Sequence, residues 1–495
     1  MKKRGKKVFC YLLICMLLIS LSGNSAFAMT KTAVAASDMQ IILDKGSNGA
    51  KAFLKREYTG DYLYGYEWII FTMLRAGEEV SQVQLNVYCN SVFQEVKTWK
   101  GTEKPTEIAR VALTLSVMGK EITDIDGVNL AALLCNSSRL GEGSNELAYA
   151  LLALDAKQTK IPAGAKWTRE DMLETLLSFQ NEDGGFALIK SGNSGIDTTA
   201  MALQAMAGYE AKNDKVRQAI AKALSYLQNE QDKECGFGTA EATAQVLIAL
   251  CSLKRNALDS QEGFGDTTCN LITNLNQYYM ENPSGFLHEQ GRIKPDSMAT
   301  IQVLQAYTAY ERYLEGKNTY WDMTDVTTDL VQNPKVKLNV TKGKLQVKKS
   351  TTALRVSEKL PGDEVVKWTS SNKRVAAVGK NGKITAKKVG TATIQVTMKS
   401  GATAKCKVTV QRKKVSSKIR LKKKSYNLKV KATTSLKYTL SNGFDEIKSF
   451  KSSNRKVVTV SKKGVLKGKK AGTAKVTIQT KNGAKATVKV TVKKK

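Results

Sequence analysis

Six acidic residues stand at the starts of six apolar runs, and by type and spacing they are the side chains best placed to do chemistry. They are Glu67, Glu107, Glu146, Asp197, Glu241 and Asp296, each followed by a stretch such as Trp68-Ile69-Ile70 or Ala242-Thr243-Ala244. A carboxylate can move a proton, help hold a metal or pair with a cationic ligand. Moving a proton to a reluctant acceptor needs neighbours that hold the proton and stabilise the anion left behind. Asp197 lies between Gly195-Ile196 and Thr198-Thr199, with no such neighbour in sequence, and is expected to be ionised at neutral pH. The whole chain has one histidine, His288, which excludes His-rich metal sites.

Beyond the first 28 residues the cysteines are Cys89, Cys135, Cys235, Cys251, Cys269 and Cys406, scattered and without a C-x-x-C pair. That spacing suits neither a zinc ribbon nor a dense disulfide framework. Cys251 and Cys269, among apolar neighbours, read as small buried residues. No catalytic residue, cofactor or metal is assigned. Two roles remain for the six acids. In the first turn of a helix an acid accepts backbone N–H bonds and complements the positive end of the dipole. Gathered at one end of a bundle, the six would instead form an acidic rim able to bind a cation, a sugar or a peptide amine.

The elements that must position them recur from residue 38 to residue 330, at a spacing of roughly 40 to 55 residues, in the range of helical arrays. The clearest unit runs from Thr168 to Gly208. Thr168 to Gln180 is an amphipathic helix with Thr168 as N-cap and Asp171 at the capping-box position. Asn181-Glu182-Asp183-Gly184-Gly185 breaks it, and a second helix starts at Asp197. Lys215 to Gln228 leads likewise to Glu241, and Thr267 to Met280 leads to Asp296. The second helices are apolar nearly all round and are expected inside a ring of six amphipathic first helices, an all-α, six-plus-six toroid.

Phe179-Gln180…Gly185-Phe186, Tyr226-Leu227-Gln228…Gly236-Phe237 and Gln277…Gly285-Phe286 resemble the repeated Q…G-[FW] motif of the terpenoid cyclase and protein prenyltransferase superfamily. The resemblance implies an α/α toroid and raises isoprenoid chemistry as an alternative function. Cyclases that protonate an alkene carry D-x-D-D-T-A. Here the aligned residues are Gly195-Ile196-Asp197-Thr198-Thr199-Ala200, so both flanking aspartates are missing. Prenyltransferases hold zinc with Asp, Cys and His, and no Asp-x-Cys pair precedes His288. The thioester motif G-C-G-E-Q of complement-type relatives is replaced by Glu234-Cys235-Gly236-Phe237-Gly238. Phe186, Phe237, Phe264 and Phe286 are expected to pack between helix layers.

After Pro334 the composition changes. From Lys335 to Lys495 there are 45 Lys and Arg against 5 Asp and Glu, whereas the span between the leader and Pro334 holds 28 basic and 39 acidic residues. The stretch beginning Trp368-Thr369-Ser370-Ser371-Asn372 returns at Phe450-Lys451-Ser452-Ser453-Asn454 without a gap, Gly382 matching Gly464 and Gly390 matching Gly472. Alternating segments such as Ala392 to Met398 mark half-buried strands. The W-x-S-S-N…N-G-x-[IL]…G-T-A pattern resembles bacterial Ig-like domains of group 2, which implies two all-β sandwiches at 336–411 and 418–493, and a spacer or binding role.

At the front, Lys2 to Lys7 precede an apolar run from Val8 to Leu21, and Ala26-Phe27-Ala28 offers a cleavage site. That is the pattern of a secretory signal peptide over residues 1–28. No other segment is long and apolar enough to span a membrane. With no L-P-x-T-G motif, attachment is expected to be noncovalent. The sequence reads as a secreted or cell-surface binding protein without catalysis. Its acidic toroid would take an unknown ligand, and its basic tail would attach to anionic cell-wall or surface polymers. A nucleic-acid binder acting through the tail is the further alternative, against which stands the lack of aromatic residues among the lysines.

Overall fold

The computed structural model describes residues 25–494, with side chains from Asp38 on. The expected leader, 1–28, lies outside the described residues apart from its last few. Two compact units are present, one of residues up to 81 together with 88–331, the other of 82–87 together with 332 onward.

The first unit is helical. Among the described residues six outer helices, α1 (Ser25–Glu57), α3 (Gln82–Val96, in this unit from residue 88 on), α5 (Leu130–Asn136), α7 (Arg169–Leu177), α9 (Asp214–Glu230) and α11 (Leu271–Asn276), alternate with six inner ones. The inner helices are α2 (Glu67–Arg75), α4 (Pro105–Val117), α6 (Ser144–Asp155), α8 (Ile196–Met206), α10 (Ala240–Ser252) and α12 (Ser297–Leu314). Each inner helix packs on the next and α12 returns to α2, so the ring closes: this is an α/α toroid. The burial pattern follows from composition. Every residue of α10 except Glu241 is buried, whereas α9 buries one stripe, Val216, Ala219, Ile220, Ala223, Leu224 and Leu227, at three- and four-residue spacing.

Three of the inner helices, α8, α10 and α12, are tied to the loops before them by threonines. Thr199 Oγ accepts from the Phe186 amide (2.8 Å), Thr243 Oγ from Phe237 (3.1 Å) and Thr300 Oγ from Phe286 (2.9 Å). Each of these hydroxyls also donates to a carbonyl one turn back, at Gly195, Thr239 and Asp296. The anchored Phe186, Phe237 and Phe286, with Phe264, are buried between the layers. Of the six acids, Asp296 alone caps its helix, accepting from Met298 N (2.7 Å) and Ala299 N (3.0 Å). Asp197 follows the N-cap Gly195 by two and α8 has no side-chain cap, so the cap reading of Asp197 is corrected. The capping box of Thr168 and Asp171 is present.

Two further expectations change. In the second Q…G-F motif the glutamine that clamps the turn is Gln231, donating to Cys235 O and Phe264 O as Gln180 does to Gly184 O and Ala219 O, while Gln228 bonds Glu262 O instead. Cys269 is not a small buried residue. It is bonded to Cys235, 34 residues away in sequence, while Cys89, Cys135, Cys251 and Cys406 are free and buried.

The second unit holds two Ig-like sandwiches of one topology. In the first, β1 (Lys342–Gln346), β2 (Val365–Ser370), β3 (Gly390–Met398) and β4 (Thr403–Gln411) form a sheet in the order β1-β4-β3-β2, with β1 parallel to β4. In the second, β5 (Ser425–Lys429), β6 (Ile447–Ser452), β7 (Gly472–Thr480) and β8 (Lys485–Lys493) repeat that order and pairing. The repeat extends to single contacts: Trp368 lies over Gly382 as Phe450 lies over Gly464, both glycines at φ +77°. A side chain there would need a left-handed backbone and would meet the ring.

Candidate functional site

The ring's axis is filled. After α12 a strap runs from Thr319 to Asp325 and inserts Tyr320 and Trp321 among the inner helices, with Trp321 only 6% exposed. The Trp321 indole stacks on Phe71 (centroids 5.5 Å, 20° between planes) and meets Trp68 and Tyr149 edge-on, each at 6.4 Å. Its N–H donates to Gln204 Oε1 (2.8 Å), and the relay continues from Gln204 to Gln245 (2.9 Å) and from Gln245 to Gln302 (2.9 Å). Arg75 fixes the strap through the carbonyls of Thr319, Tyr320 and Asp322, and with Arg312 it grips Asp325 (2.9 and 2.5 Å). A buried guanidinium needs such a set of acceptors, and here they are all strap atoms.

The six candidate acids meet different fates at the N-terminal ends of the inner helices. Glu67 is fully buried. It accepts from Gly65 N (2.9 and 3.1 Å) and Tyr88 OH (3.3 Å), and it pairs with Arg110 (3.1 Å). The expectation that it faces a ligand is therefore corrected. Glu107 accepts from the Tyr64 hydroxyl; burial, with this bond, pushes the Tyr64 phenol far up. One Glu146 oxygen is buried without a partner, close against Gly143. Asp296 is the cap already described.

Asp197 and Glu241 differ from the rest. Asp197 keeps an open edge to solvent but is crowded on its other sides, and that desolvation raises its carboxyl, with His288 pulling the other way. The same carboxylate, added to burial, pushes the Tyr149 phenol up to about 12. Glu241 is raised by burial and partly restored by its bond to His288 Nδ1 (2.9 Å). His288 is raised in turn, first by that bond, and its other nitrogen lies 3.6 Å from Glu289. Tyr149, Asp197, His288 and Glu241 thus form one electrostatically coupled group.

A cavity of about 650 Å³ opens beside Tyr149, lined by Trp68, Lys104, Glu107, Arg110, Arg139 and Tyr149 among others; Asp197, Glu241 and His288 are not in its wall. Glu107 is the one rim acid in its wall, and three basic side chains stand there too. The rim is therefore not an acidic ring around a single pocket. Aromatic faces beside Arg, Asn and Glu side chains suit a ligand with apolar CH faces and hydroxyl edges. A larger opening, about 880 Å³, lies at the opposite ends of the inner helices. In its wall Arg169 bonds Asp155 (2.6 Å), and Tyr209 OH donates to the same carboxylate (2.5 Å). The sequence reading missed Trp68, Tyr149, Arg110 and Trp321. Trp68 and Tyr149 follow rim acids by one and three residues, a signal that was open to view. Nothing local marks Trp321 as an axial residue.

Residues 336–408 match the bacterial Ig-like domain (group 2) family. A stretch of 121 residues, 24% of the chain, is 36% identical to an uncharacterized protein of Clostridium acetobutylicum and spans 12% of that relative's length. Among solved structures, the surface-layer protein SbsC is similar with a TM-score of 0.17 and 20% identity, over 28% of this chain and 23% of that one. Candida albicans protein geranylgeranyltransferase-I complexed with GGPP is similar with a TM-score of 0.42 and 11% identity, over 58% and 99%. The protein is an α/α toroid followed by two Ig-like sandwiches, the first of which matches the bacterial group 2 family. Among the described residues no helix is long and apolar enough to cross a membrane.

Proposed function

We propose that this is a surface-associated binding protein whose toroid mouth takes a sugar-like ligand and whose basic Ig-like tail holds it on anionic polymers of the bacterial envelope. The observation that carries the reading is the filled axis: Trp321 stands between the two openings, where a long apolar substrate would have to lie, and the opening at the N-terminal ends of the inner helices is a polar mouth walled by Trp68 and Tyr149. The Cys235–Cys269 disulfide suits an oxidising, extracellular compartment. The tail's excess of 45 basic over 5 acidic residues goes beyond what solubility requires. Each exposed contact is weak and screened, but many on one sandwich sum to useful attraction.

The test is retention of the full-length protein on purified cell walls across a salt series. Raising salt from physiological strength to 1 M shortens the screening length from about 8 Å to about 3 Å, and retention should collapse. Full retention at 1 M salt, or on walls stripped of anionic polymer, would refute attachment by charge. Incubation with squalene or farnesyl diphosphate should give no product. Turnover that disappears in Asp197→Asn would replace this reading with an isoprenoid enzyme.

A further inference from the structure

The two Ig-like repeats differ at one buried carboxylate. Asp363 in the first repeat and Asp445 in the second occupy matching positions 82 residues apart and begin with the same bonds. Asp363 Oδ1 accepts from Glu364 N (2.9 Å) and Ser400 N (3.1 Å); Asp445 Oδ1 accepts from Glu446 N (3.0 Å) and Asn482 N (3.1 Å). In the first repeat the second oxygen is also satisfied, by the Ser400 hydroxyl at 2.6 Å. Asn482 replaces that serine in the second repeat, and Asp445 Oδ2 is left buried without a partner in a residue only 5% exposed. An ionised oxygen held out of water without a donor is costly, and buried polar groups are rarely left that way.

The orphaned carboxylate lines a cavity. At the junction of the two repeats Asn442 bridges the backbone of Lys344, accepting from its amide (2.8 Å) and donating to its carbonyl (3.1 Å). The neighbouring Phe444 buries its ring in the core of the first repeat, against Gly343, where a Cβ would meet the ring at 2.4 Å. Beside this joint is a space of about 380 Å³ whose wall includes Asp445 and Glu446 together with Lys344, Lys349, Lys383, Lys414 and Lys481, of which Lys481 is paired with Glu446 (2.5 Å). That leaves four lysines without a carboxylate partner in the wall, around a single carboxylate oxygen, Asp445 Oδ2, that lacks a donor. The cations suit a phosphate, and the lone acceptor suits a hydroxyl close to it. The one aromatic ring in the wall, Phe444, is itself buried and offers no stacking face for a base.

We propose that this junction is a binding site for a polyol phosphate polymer, with the phosphodiester among the lysines and an adjacent hydroxyl donating to Asp445 Oδ2. It rests on the reading of the tail as an attachment to anionic polymers and adds to it a preference for hydroxylated chains. The Oδ1 bonds hold the carboxylate in place, and the hydroxyl reaches Oδ2 by displacing the part of the wall that keeps water from it.

The test uses the full chain with two probes of equal phosphate count, an oligomer of glycerol phosphate and inorganic polyphosphate, which has no hydroxyl. Affinities are measured by calorimetry at low salt. Wild type should prefer the glycerol phosphate oligomer by roughly tenfold, the worth of one charge-assisted hydrogen bond. Asn482→Ser installs the hydroxyl that the first repeat already carries and should fold normally. It should erase the preference and leave polyphosphate affinity unchanged. Lys349→Glu with Lys383→Glu should weaken both probes. Equal affinity of wild type for the two probes, or a preference that survives Asn482→Ser, overturns the site while leaving attachment by charge intact. Binding of neither probe removes both.

Discussion

In the toroid, Arg75 and Arg312 reach inward to one carboxylate, Asp325, and Arg110 reaches to Glu67; in the Ig-like repeats the lysines alternate with buried residues and face solvent. On β4, Lys405 and Lys407 are exposed while Cys406 and Val408 are buried, and on β8 Lys485 and Lys489 are exposed while Val488 and Val490 are buried. The cores of the two sandwiches are apolar, drawn from residues such as Ile394, Val396, Val476 and Ile478. Charge in the first unit holds a polypeptide segment in place. The strand lysines of the second lie outside its apolar cores, exposed to solvent.

The largest expected effect is at the strap. Trp321→Ala empties the axis and should cost about 3–5 kcal/mol, the usual range for a large buried aromatic. Thermal denaturation of the full chain should show the helical transition lowered and the β transition unmoved. A loss of less than about 1 kcal/mol would mean that the interior collapses around the gap and that the strap is not what fills the ring.

Asp197→Asn sharpens the contrast between the two kinds of rim acid. Burial raises the Asp197 carboxyl in the folded protein. The wild-type acid therefore contributes most below its unfolded value, near about 3.9, and that contribution is lost as pH rises through the raised folded value. The mutant should match wild type in acid and gain on it as pH climbs towards neutrality. Melting curves of both proteins across that range decide the sign, and wild type gaining with pH would place Asp197 in a stabilising ion pair.

The smallest effect is expected in the tail. Replacing Lys405, Lys407 and Lys489 by Gln should change stability by no more than about 0.5 kcal/mol each. Retention on cell walls should nevertheless fall and become less sensitive to salt. A clear loss of stability would show that the lysines serve the sandwiches rather than a partner.

The toroid was legible because its inner helices are apolar on all sides and can be buried only inside a closed ring. The Ig-like repeats were legible because an ungapped 82-residue offset carries strand alternation and turn glycines together. The candidate site was legible only in part. Six acids at six helix starts were visible, but burial separated them: Glu67 went to Arg110, Asp296 to a cap, and Asp197 and Glu241 to the group around His288. The Cys235–Cys269 bond joins residues 34 apart, cued by nothing local beyond two scattered cysteines.

By itself the sequence determined what is periodic or compositional: which segments are helices or strands, which faces are apolar, where the charge changes sign, and that one sandwich repeats another. These depend on residues close in the chain. The tertiary structure alone decided that Trp321 fills the axis, that Tyr149 sits beside Asp197, and that Asp445 keeps an unpaired oxygen where Asp363 does not. Those outcomes depend on the packing of residues distant in sequence, on which atoms come within bonding reach and on how much water they lose, and neither quantity is written in local pattern.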